Sequence, residues 1–238
     1  MIKFIKKLKL NFKIDWQSKI IDLLIVIVGI SIAFKLNTWN ESIQSNIESK
    51  NYLESFYEEN STNMSQLNSA LEFSKTHKSN IDTLQQILLS GNYTDGRIEN
   101  LSASLMILAS YNPSTTTMDN IIASGEFELI KNIELRKRII KTYNAYKNTK
   151  QLENLMTDYV NQYVTPYFFE HVRFSNFSSL DNEFVKDPKF ENVVIGYGVL
   201  LNQQLQGYQS NLEKINGLNK KLLAENVIQK SIVVSKSE

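Results

Sequence analysis

The chain has 238 residues, a formal charge of +1 and no cysteine, and each of these numbers excludes a class of protein. A near-neutral chain lacks the positive charge of a free-standing nucleic-acid-binding protein, so we expect no nucleic-acid partner. Without cysteine there are no disulfides, thiolate metal sites or cysteine nucleophiles. With only 8 glycines and 3 prolines, the chain is poor in the turn residues that sheet proteins need, which predicts an all-α fold of long helices.

The first predicted element is a transmembrane helix over residues 16–39. Its centre is an uncharged apolar run from Leu23 to Phe34. At 1.5 Å per residue the run covers about 18 Å of a hydrocarbon core about 30 Å thick, so its flanks must complete the crossing. The flanking residues that we expect to anchor the helix at the two headgroup boundaries are Trp16, Lys19, Lys35 and Trp39.

The charge changes sign across this helix. Six lysines lie between residues 1 and 19 and are opposed only by Asp15, whereas residues 41–60 hold five glutamates against Lys50. Cytoplasmic flanks carry the lysine excess, so residues 1–15 are predicted to be a basic cytoplasmic tail. The rest of the chain after Trp39 is then predicted to be periplasmic, with the helix in a bacterial inner membrane.

Two other interpretations of the apolar run stay open. A basic segment, a short apolar core and the small residues of Ser31-Ile32-Ala33 also fit a cleaved signal peptide. The run would alternatively be a buried core helix of a cytosolic protein. The long basic tail and the lack of a helix breaker near Ala33 argue against cleavage, and the paired tryptophans argue against a core helix.

Gly29 and Ala33 lie four residues apart on one face of the predicted membrane helix. Such a pair of small residues lets two helix backbones approach closely in lipid. The pair predicts a weak homo-oligomer through the membrane helix, in addition to contact with the lipid bilayer.

Residues 40–228 are predicted to form a periplasmic helical bundle of four main helices. No glycine or proline occurs between Gly29 and Gly91, so the membrane helix is expected to continue into the bundle. Its apolar phase is interrupted at Asn60 and Ser74. The other main helices are predicted over residues 98–110, 133–164 and 188–228, and residues 229–238 are expected to fray.

Local signals predict where these elements begin and end. The predicted stops are Gly91-Asn92 and Asn112-Pro113, and Thr165-Pro166 is predicted to end or kink its helix. The predicted N-caps are Asn132 and Asp187. Thr116-x-x-Asp119 resembles a capping box, and Gly125 is expected at a left-handed C-terminal position.

Apolar periodicity predicts the buried faces of the last two main helices. The helix from Ile133 is expected to bury Leu135, Ile139, Tyr143, Tyr146, Leu155, Tyr159 and Tyr163. The last helix carries a stripe without a gap: Phe190, Val194, Tyr197, Leu201, Leu205, Tyr208, Leu212, Ile215, Leu218 and Leu222.

The sequence contains no recognisable catalytic constellation. His77 and His171 lie on different predicted helices and lack the spacing of a helical zinc site. There is no phosphate-binding glycine loop and no nucleophile motif. We therefore predict no enzyme activity, no metal and no cofactor.

Two features are candidates for a partner or ligand surface. The segment from Ser114 to Asn132 is either a recognition or gating loop or a connector whose Gly125 and Asn132 serve backbone geometry. Tyr159, Tyr163 and Tyr167 would either line a ligand groove or pack in the core. The aromatic stretch that follows adds Phe168 and Phe169 to the candidate contact surface.

Two passages resemble a known family. They are Ile20 to Glu41, ending Phe34-Lys35-Leu36-Asn37-Thr38-Trp39-Asn40-Glu41, and Ser124 to Asn132, followed by Glu134-Leu135-Arg136. They resemble an uncharacterised domain-of-unknown-function family of N-terminally anchored single-pass membrane proteins of flavobacteria and other Bacteroidota. The resemblance implies the anchored architecture and a bacterial inner membrane. It brings no catalytic residues, because the family has no assigned activity.

Our leading functional hypothesis is a non-enzymatic interaction or scaffold module that holds a protein partner at the periplasmic face of the membrane. The alternative is a sensor or small-ligand-binding helical domain with a tyrosine-lined groove. A sensor needs an output, and a cytoplasmic tail of 15 residues is too short for a signalling domain. An enzyme with unrecognised chemistry ranks third.

Overall fold

The computed structural model describes residues 16–176, 178–180 and 183–236, and almost all of them are helical. The all-α class is therefore confirmed. Residues 1–48 and 49–238 form two units. The predicted basic tail, residues 1–15, lies outside the described residues.

The elements follow one another with short connections. In chain order they are α1 (Trp16–Leu89), α2 (Ile98–Ala103), a 3-10 turn (Ser104–Met106), α3 (Thr116–Ala123), a second 3-10 turn (Glu126–Leu129), α4 (Ile133–Tyr159), a π-helix (Val160–Val164), α5 (Thr165–His171), β1 (Val172–Arg173), β2 (Ser178–Ser179), a third 3-10 turn (Phe184–Lys186) and α6 (Pro188–Lys236). Helix α6 extends to Lys236 and includes residues 229–236, which the sequence predicts to fray. Fraying of these residues stays a prediction.

In the first unit the described residues belong to α1, and their large apolar side chains are exposed. In the second unit α1, α4 and α6 are the long helices. Side-chain bonds join Asn132 to Glu225 at one end of the α4–α6 pair and Tyr159 to Val193 at the other, so these helices are antiparallel. Helix α1 also runs antiparallel to α6, since Ser61 bonds Asn219 and the later residue Gln85 bonds the earlier Val194.

Four helix ends lie where local signals predicted them. Gly91 and Gly125 have positive φ of 70° and 74°, a conformation that favours glycine. The Asn132 side chain accepts a hydrogen bond from the Leu135 N–H at 3.1 Å, and Asp187 accepts one from the Lys189 N–H at 2.8 Å. Both N-caps are confirmed.

The predicted helix over 98–110 is wrong in its second half. Helix α2 ends at Ala103, the 3-10 turn ends at Met106, and Ile107 is extended. Contacts that are distant in sequence replace the missing helical bonds, because the Tyr197 hydroxyl donates to the Ile107 carbonyl at 2.7 Å. The bundle therefore has three long helices with α2 as a short addition, rather than four main helices.

The predicted stripe of α6 is buried, with only Leu212 partly exposed. The predicted face of α4 is correct from Leu135 to Tyr146 and wrong for Leu155 and Tyr163, which are 47% and 54% exposed. Met156, Val160 and Val164 are buried instead. Leu155 and Tyr163 each lie one residue before a buried position, because the buried face continues at steps of three and four through Glu153, Met156, Val160 and Val164.

Thr165-Pro166 does not end the helix. The π-helix precedes Pro166, and α5 continues to His171 with proline in its first turn, where the missing N–H costs little. A short antiparallel pair follows, with Val172 opposite Ser179. These strands of two residues carry too little sequence to show a strand pattern, and the sequence did not predict them.

Candidate functional site

The apolar surface of α1 is exposed on every side. Between Leu23 and Phe34 the large apolar side chains are 49–70% exposed, and Trp16 and Trp39 at the two ends are 71% and 63% exposed. A Cβ added to Gly29 would meet no atom within 4 Å. The predicted anchor residues Trp16, Lys19, Gly29, Ala33, Lys35 and Trp39 are therefore all accessible.

Polar groups within this segment are satisfied by the helix itself. The Ser31 hydroxyl donates to the Ile27 carbonyl at 2.7 Å, and the Thr38 hydroxyl donates to the Phe34 carbonyl at 2.9 Å. Lys19 Nζ lies 3.9 Å from Asp22 Oδ2, one turn along α1. The segment thus has the length and composition to cross a membrane and leaves these hydroxyls bonded internally.

The bundle contains a buried carboxylate that the sequence analysis missed. Glu153 is 5% exposed, and its Oε1 accepts hydrogen bonds from the Tyr111 N–H at 2.7 Å and the Tyr208 hydroxyl at 2.6 Å. Lys150 Nζ lies 3.4 Å from its other oxygen. Burial and the hydrogen bond to Glu153 raise the pKa of Tyr208, so its hydroxyl stays protonated and keeps donating.

A second carboxylate holds the start of α3. Glu59 Oε2 accepts hydrogen bonds from the Thr117 N–H at 2.9 Å and the Ser114 hydroxyl at 2.9 Å, while Oε1 accepts one from the Tyr143 hydroxyl. This carboxylate from α1 caps α3 and complements its positive end. The predicted capping box is wrong, because the Asp119 carboxylate accepts a bond from the Thr115 hydroxyl instead.

The predicted interruptions of the apolar phase of α1 are buried. Asn60 is fully buried, donates to the Phe56 carbonyl and accepts from the Tyr146 hydroxyl, and Ser74 is 1% exposed. Burial raises the pKa of Tyr143 and Tyr146. The bonds of Asn60 specify which helix faces meet, since they need particular partners. The Ser74 hydroxyl has no hydrogen-bond partner among the described residues.

His77 is a buried histidine whose hydrogen bonds connect α1 and α6 to the segment after α2. Its Nε2 lies 2.8 Å from the Tyr197 hydroxyl, which donates its own proton to the Ile107 carbonyl. The histidine must therefore be the donor, which assigns the Nε2–H tautomer. Burial lowers the pKa of His77 below its ordinary value of 6.5. His171 is separate, with Nε2 3.9 Å from Glu170 Oε2.

The structure divides the predicted aromatic surface into two groups. Tyr159 and Tyr163 pack together with ring centroids 5.0 Å apart, and the Tyr159 hydroxyl donates to the Val193 carbonyl. Tyr167 and Phe168 are buried in the core, where the Tyr167 hydroxyl donates to the Phe184 carbonyl. Phe169 is 68% exposed. Tyr167 therefore does not line the surface that Tyr159 and Tyr163 share, and ligand binding there stays a prediction.

Gly125 and Asn132 perform the backbone roles expected of a connector. Asn132 also donates to Glu225 at 3.0 Å, at the edge of a small polar cavity of about 180 Å³. Arg138 and Lys221 line the same cavity. Two acidic and two basic side chains balance there, so the cavity has no strong preference for an anion or a cation. A partner role for Gly125 and Asn132 stays a prediction.

A family model described as a family of unknown function, DUF6090, matches residues 22–194, which is more than half of the chain. The chain belongs to the DUF6090 family. No curated protein and no solved structure matches it. The match begins one residue before the apolar run of α1 and ends in the first turns of α6, so it covers both carboxylates.

One of the two carboxylates of this DUF6090 chain, Glu153, left a signal in the sequence. Glu153 follows Tyr146 and Thr149 and precedes Met156 at spacings of three and four, so it falls on the buried face of α4. A charged residue at an apolar position predicts a buried polar contact. Glu59 gave no such signal, because it lies at the margin of the apolar face of α1. Among the described residues no cluster of metal-ligating side chains is found.

Proposed function

We propose that the chain is a single-pass membrane protein whose helical bundle, outside the cytoplasm, holds a protein partner without enzymatic activity of its own. One observation carries the membrane part of this proposal. The run from Leu23 to Phe34 presents exposed apolar side chains around the whole helix rather than along one stripe.

A helix that is apolar all round is stable only where all its surroundings are apolar. The bundle helices differ, since each buries one face and exposes polar residues on the other. From Trp16 to Trp39 the helix has 24 residues, or about 36 Å, which exceeds a hydrocarbon core of about 30 Å. A lipid bilayer is the apolar surrounding that fits this length.

The orientation is supported by the lysine excess before the run and the glutamate excess after it. Alkaline phosphatase fused after residue 238 should be active, and a reporter that works only in the cytoplasm should be inactive there. The opposite pattern would contradict the orientation. An epitope placed before residue 16 should remain on the full-length protein, and its loss would show signal-peptide cleavage.

Charged substitutions test the anchor directly. The double substitution V26K/I30K should move the protein out of the carbonate-resistant membrane fraction, because each lysine near the bilayer centre costs about 2.5–3.5 kcal/mol. The matched control V26L/I30L keeps the surface apolar and should stay in the membrane. Equal membrane retention of both variants would contradict a bilayer anchor.

The scaffold part of the proposal is supported by how the bundle uses its polar groups. Glu59 and Glu153 are both engaged in hydrogen bonds within the bundle. Photo-crosslinking groups at exposed bundle positions such as Phe169 should give a discrete protein adduct in native membranes, whereas a group at Ile25 should give lipid adducts or self-adducts. The absence of protein adducts from every exposed bundle position would contradict the scaffold role.

A further inference from the structure

Residues 107–115, which we call the strap, have no secondary structure and contact all three long helices. The Tyr197 hydroxyl of α6 donates to the Ile107 carbonyl, and Glu153 of α4 accepts from the Tyr111 N–H. Asn63 of α1 binds Ser114. In the part of the chain that the structure describes, no backbone-to-backbone hydrogen bond joins the strap to α1, α4 or α6.

Asn63 binds both main-chain polar groups of Ser114. Its Nδ2 donates to the Ser114 carbonyl at 2.8 Å, and its Oδ1 accepts from the Ser114 N–H at 2.8 Å. A side-chain amide that pairs with one residue in this way recognises extended backbone whatever side chain that residue carries. The same division of labour occurs in peptide-binding proteins, where main-chain bonds give affinity and side-chain pockets give specificity.

Tyr111 is the side chain that anchors the strap in the bundle. It is 2% exposed, and its ring packs edge-on against Tyr146 and Tyr208, with centroids 6.1 and 6.5 Å away. Asn112 and Ser114 beside it are exposed. The strap is therefore held by the aromatic side chain of Tyr111, by main-chain bonds and by the Ser114 hydroxyl, which donates to Glu59 at 2.9 Å, as a short bound peptide would be.

We propose that the strap is an intramolecular ligand in a peptide-binding groove formed by α1, α4 and α6. The partner class that fits this groove is an extended protein segment with a tyrosine three residues before a serine, as in Tyr111 and Ser114. This inference rests on the proposed scaffold function and names the binding surface for it. Displacing the strap breaks no hydrogen bond within a long helix, because side chains supply these polar contacts.

The test uses the purified full chain in detergent micelles and a fluorescent synthetic peptide with the sequence of residues 108–117. Tyr111→Ala removes the anchor of the strap and leaves the groove side chains unchanged. The peptide should bind this variant saturably and at least tenfold more tightly than the wild type, in which the strap competes. Ser110→Ala changes an exposed strap residue whose hydroxyl bonds Asn112 within the strap, and it should behave like the wild type.

Two further arms test the chemistry of recognition. Adding Asn63→Ala to the Tyr111→Ala variant should weaken peptide binding at least tenfold, as should replacing tyrosine by alanine in the peptide. A Tyr111→Ala variant with wild-type circular dichroism that does not bind the peptide would overturn the proposal.

Hydrogen exchange on the wild type keeps the proposal testable if Tyr111→Ala does not fold. The Tyr111 amide should exchange by local opening, faster than amides in the middle of α4. Exchange of the strap only together with the long helices would overturn the proposal. Neither measurement depends on membrane location, so failure of the groove and failure of the anchor are distinguishable.

Discussion

Helix α1 exposes apolar side chains before Trp39 and buries polar side chains after Ser49. In the first region Ile25, Ile30 and their neighbours are exposed, and in the second Asn60 and Asn63 are fully buried. The first region depends on composition, since other apolar residues would serve as well. The second depends on position, since buried groups such as Asn60 and Asn63 bond particular partners. Apolar side chains are therefore exposed in the first region and polar side chains are buried in the second, so hydropathy alone does not predict burial along α1.

The largest effect that sharpens this contrast is expected at Glu153. Replacing it with alanine leaves the Tyr111 N–H and the Tyr208 hydroxyl without their acceptor. Unsatisfied buried donors cost about 1–3 kcal/mol each, so we expect E153A to lower the free energy of unfolding of the bundle by about 3 kcal/mol. Urea unfolding followed by circular dichroism measures it.

Glutamine at the same position is the matched control, because its amide oxygen can still accept. E153Q should cost about 1 kcal/mol, and Val28→Leu in the apolar run should cost nothing measurable in the bundle. Equal stabilities for E153A and the wild type would show that the position-specific character of the bundle does not extend to this carboxylate.

The next effect is expected where Gly196 of α6 packs against Tyr159 of α4. A Cβ at Gly196 would lie 2.2 Å from the Tyr159 hydroxyl, which donates to the Val193 carbonyl. Gly196→Ala must displace that ring and break its bond, at a net cost of about 1–2 kcal/mol after the gain in helix propensity. Thermal unfolding of the full chain should show the loss.

Gly217 in the same helix provides the control. A Cβ there would meet only Arg138 Nη1 at 4.0 Å, an ordinary contact. Gly217→Ala should therefore stabilise the bundle by up to about 1 kcal/mol, since alanine favours a helix over glycine. A destabilised Gly217→Ala variant would show that glycine in α6 has a role other than close packing at Gly196.

How far the sequence predicts this protein depends on whether a feature is local. The caps at Asn132 and Asp187 and the left-handed Gly125 are decided within a few residues, and all three were predicted. The end of α2 and the capping of α3 were not, because they depend on Tyr197 and Glu59. Those partners lie about 60 to 90 residues away in the sequence.

The candidate site follows the same rule. The apolar run predicts the exposed anchor segment from composition alone, whereas the strap groove combines side chains from three helices. Tyr163 is also exposed although it continues the spacing of Tyr159, because the buried face of this helix runs through Val160 and Val164. No single-helix pattern contains these interactions.

His77 should make the free energy of unfolding of the bundle depend on pH, whereas the apolar run of α1 contains no histidine. Burial lowers its pKa in the folded chain, so below the ordinary value of 6.5 the unfolded chain binds more protons than the folded one. The free energy of unfolding of the bundle should therefore fall as the pH drops below about 6.5. His77→Gln, which cannot titrate, should show a shallower fall between pH 7.5 and 5. Identical pH profiles would mean that His77 does not carry this dependence.

The smallest effect concerns Gly29, because self-association through one pair of small residues is expected to be weak. Gly29 is open to its surroundings and Ala33 lies on the same face, so two copies would pack backbone against backbone in lipid. Gly29→Leu should reduce cross-linking of the full chain in membranes by a few fold and leave bundle unfolding unchanged. Gly29→Ala keeps a small residue and should retain most of the cross-linking. If Gly29→Leu cross-links as well as the wild type, any association belongs to the bundle, where contact depends on position rather than on composition.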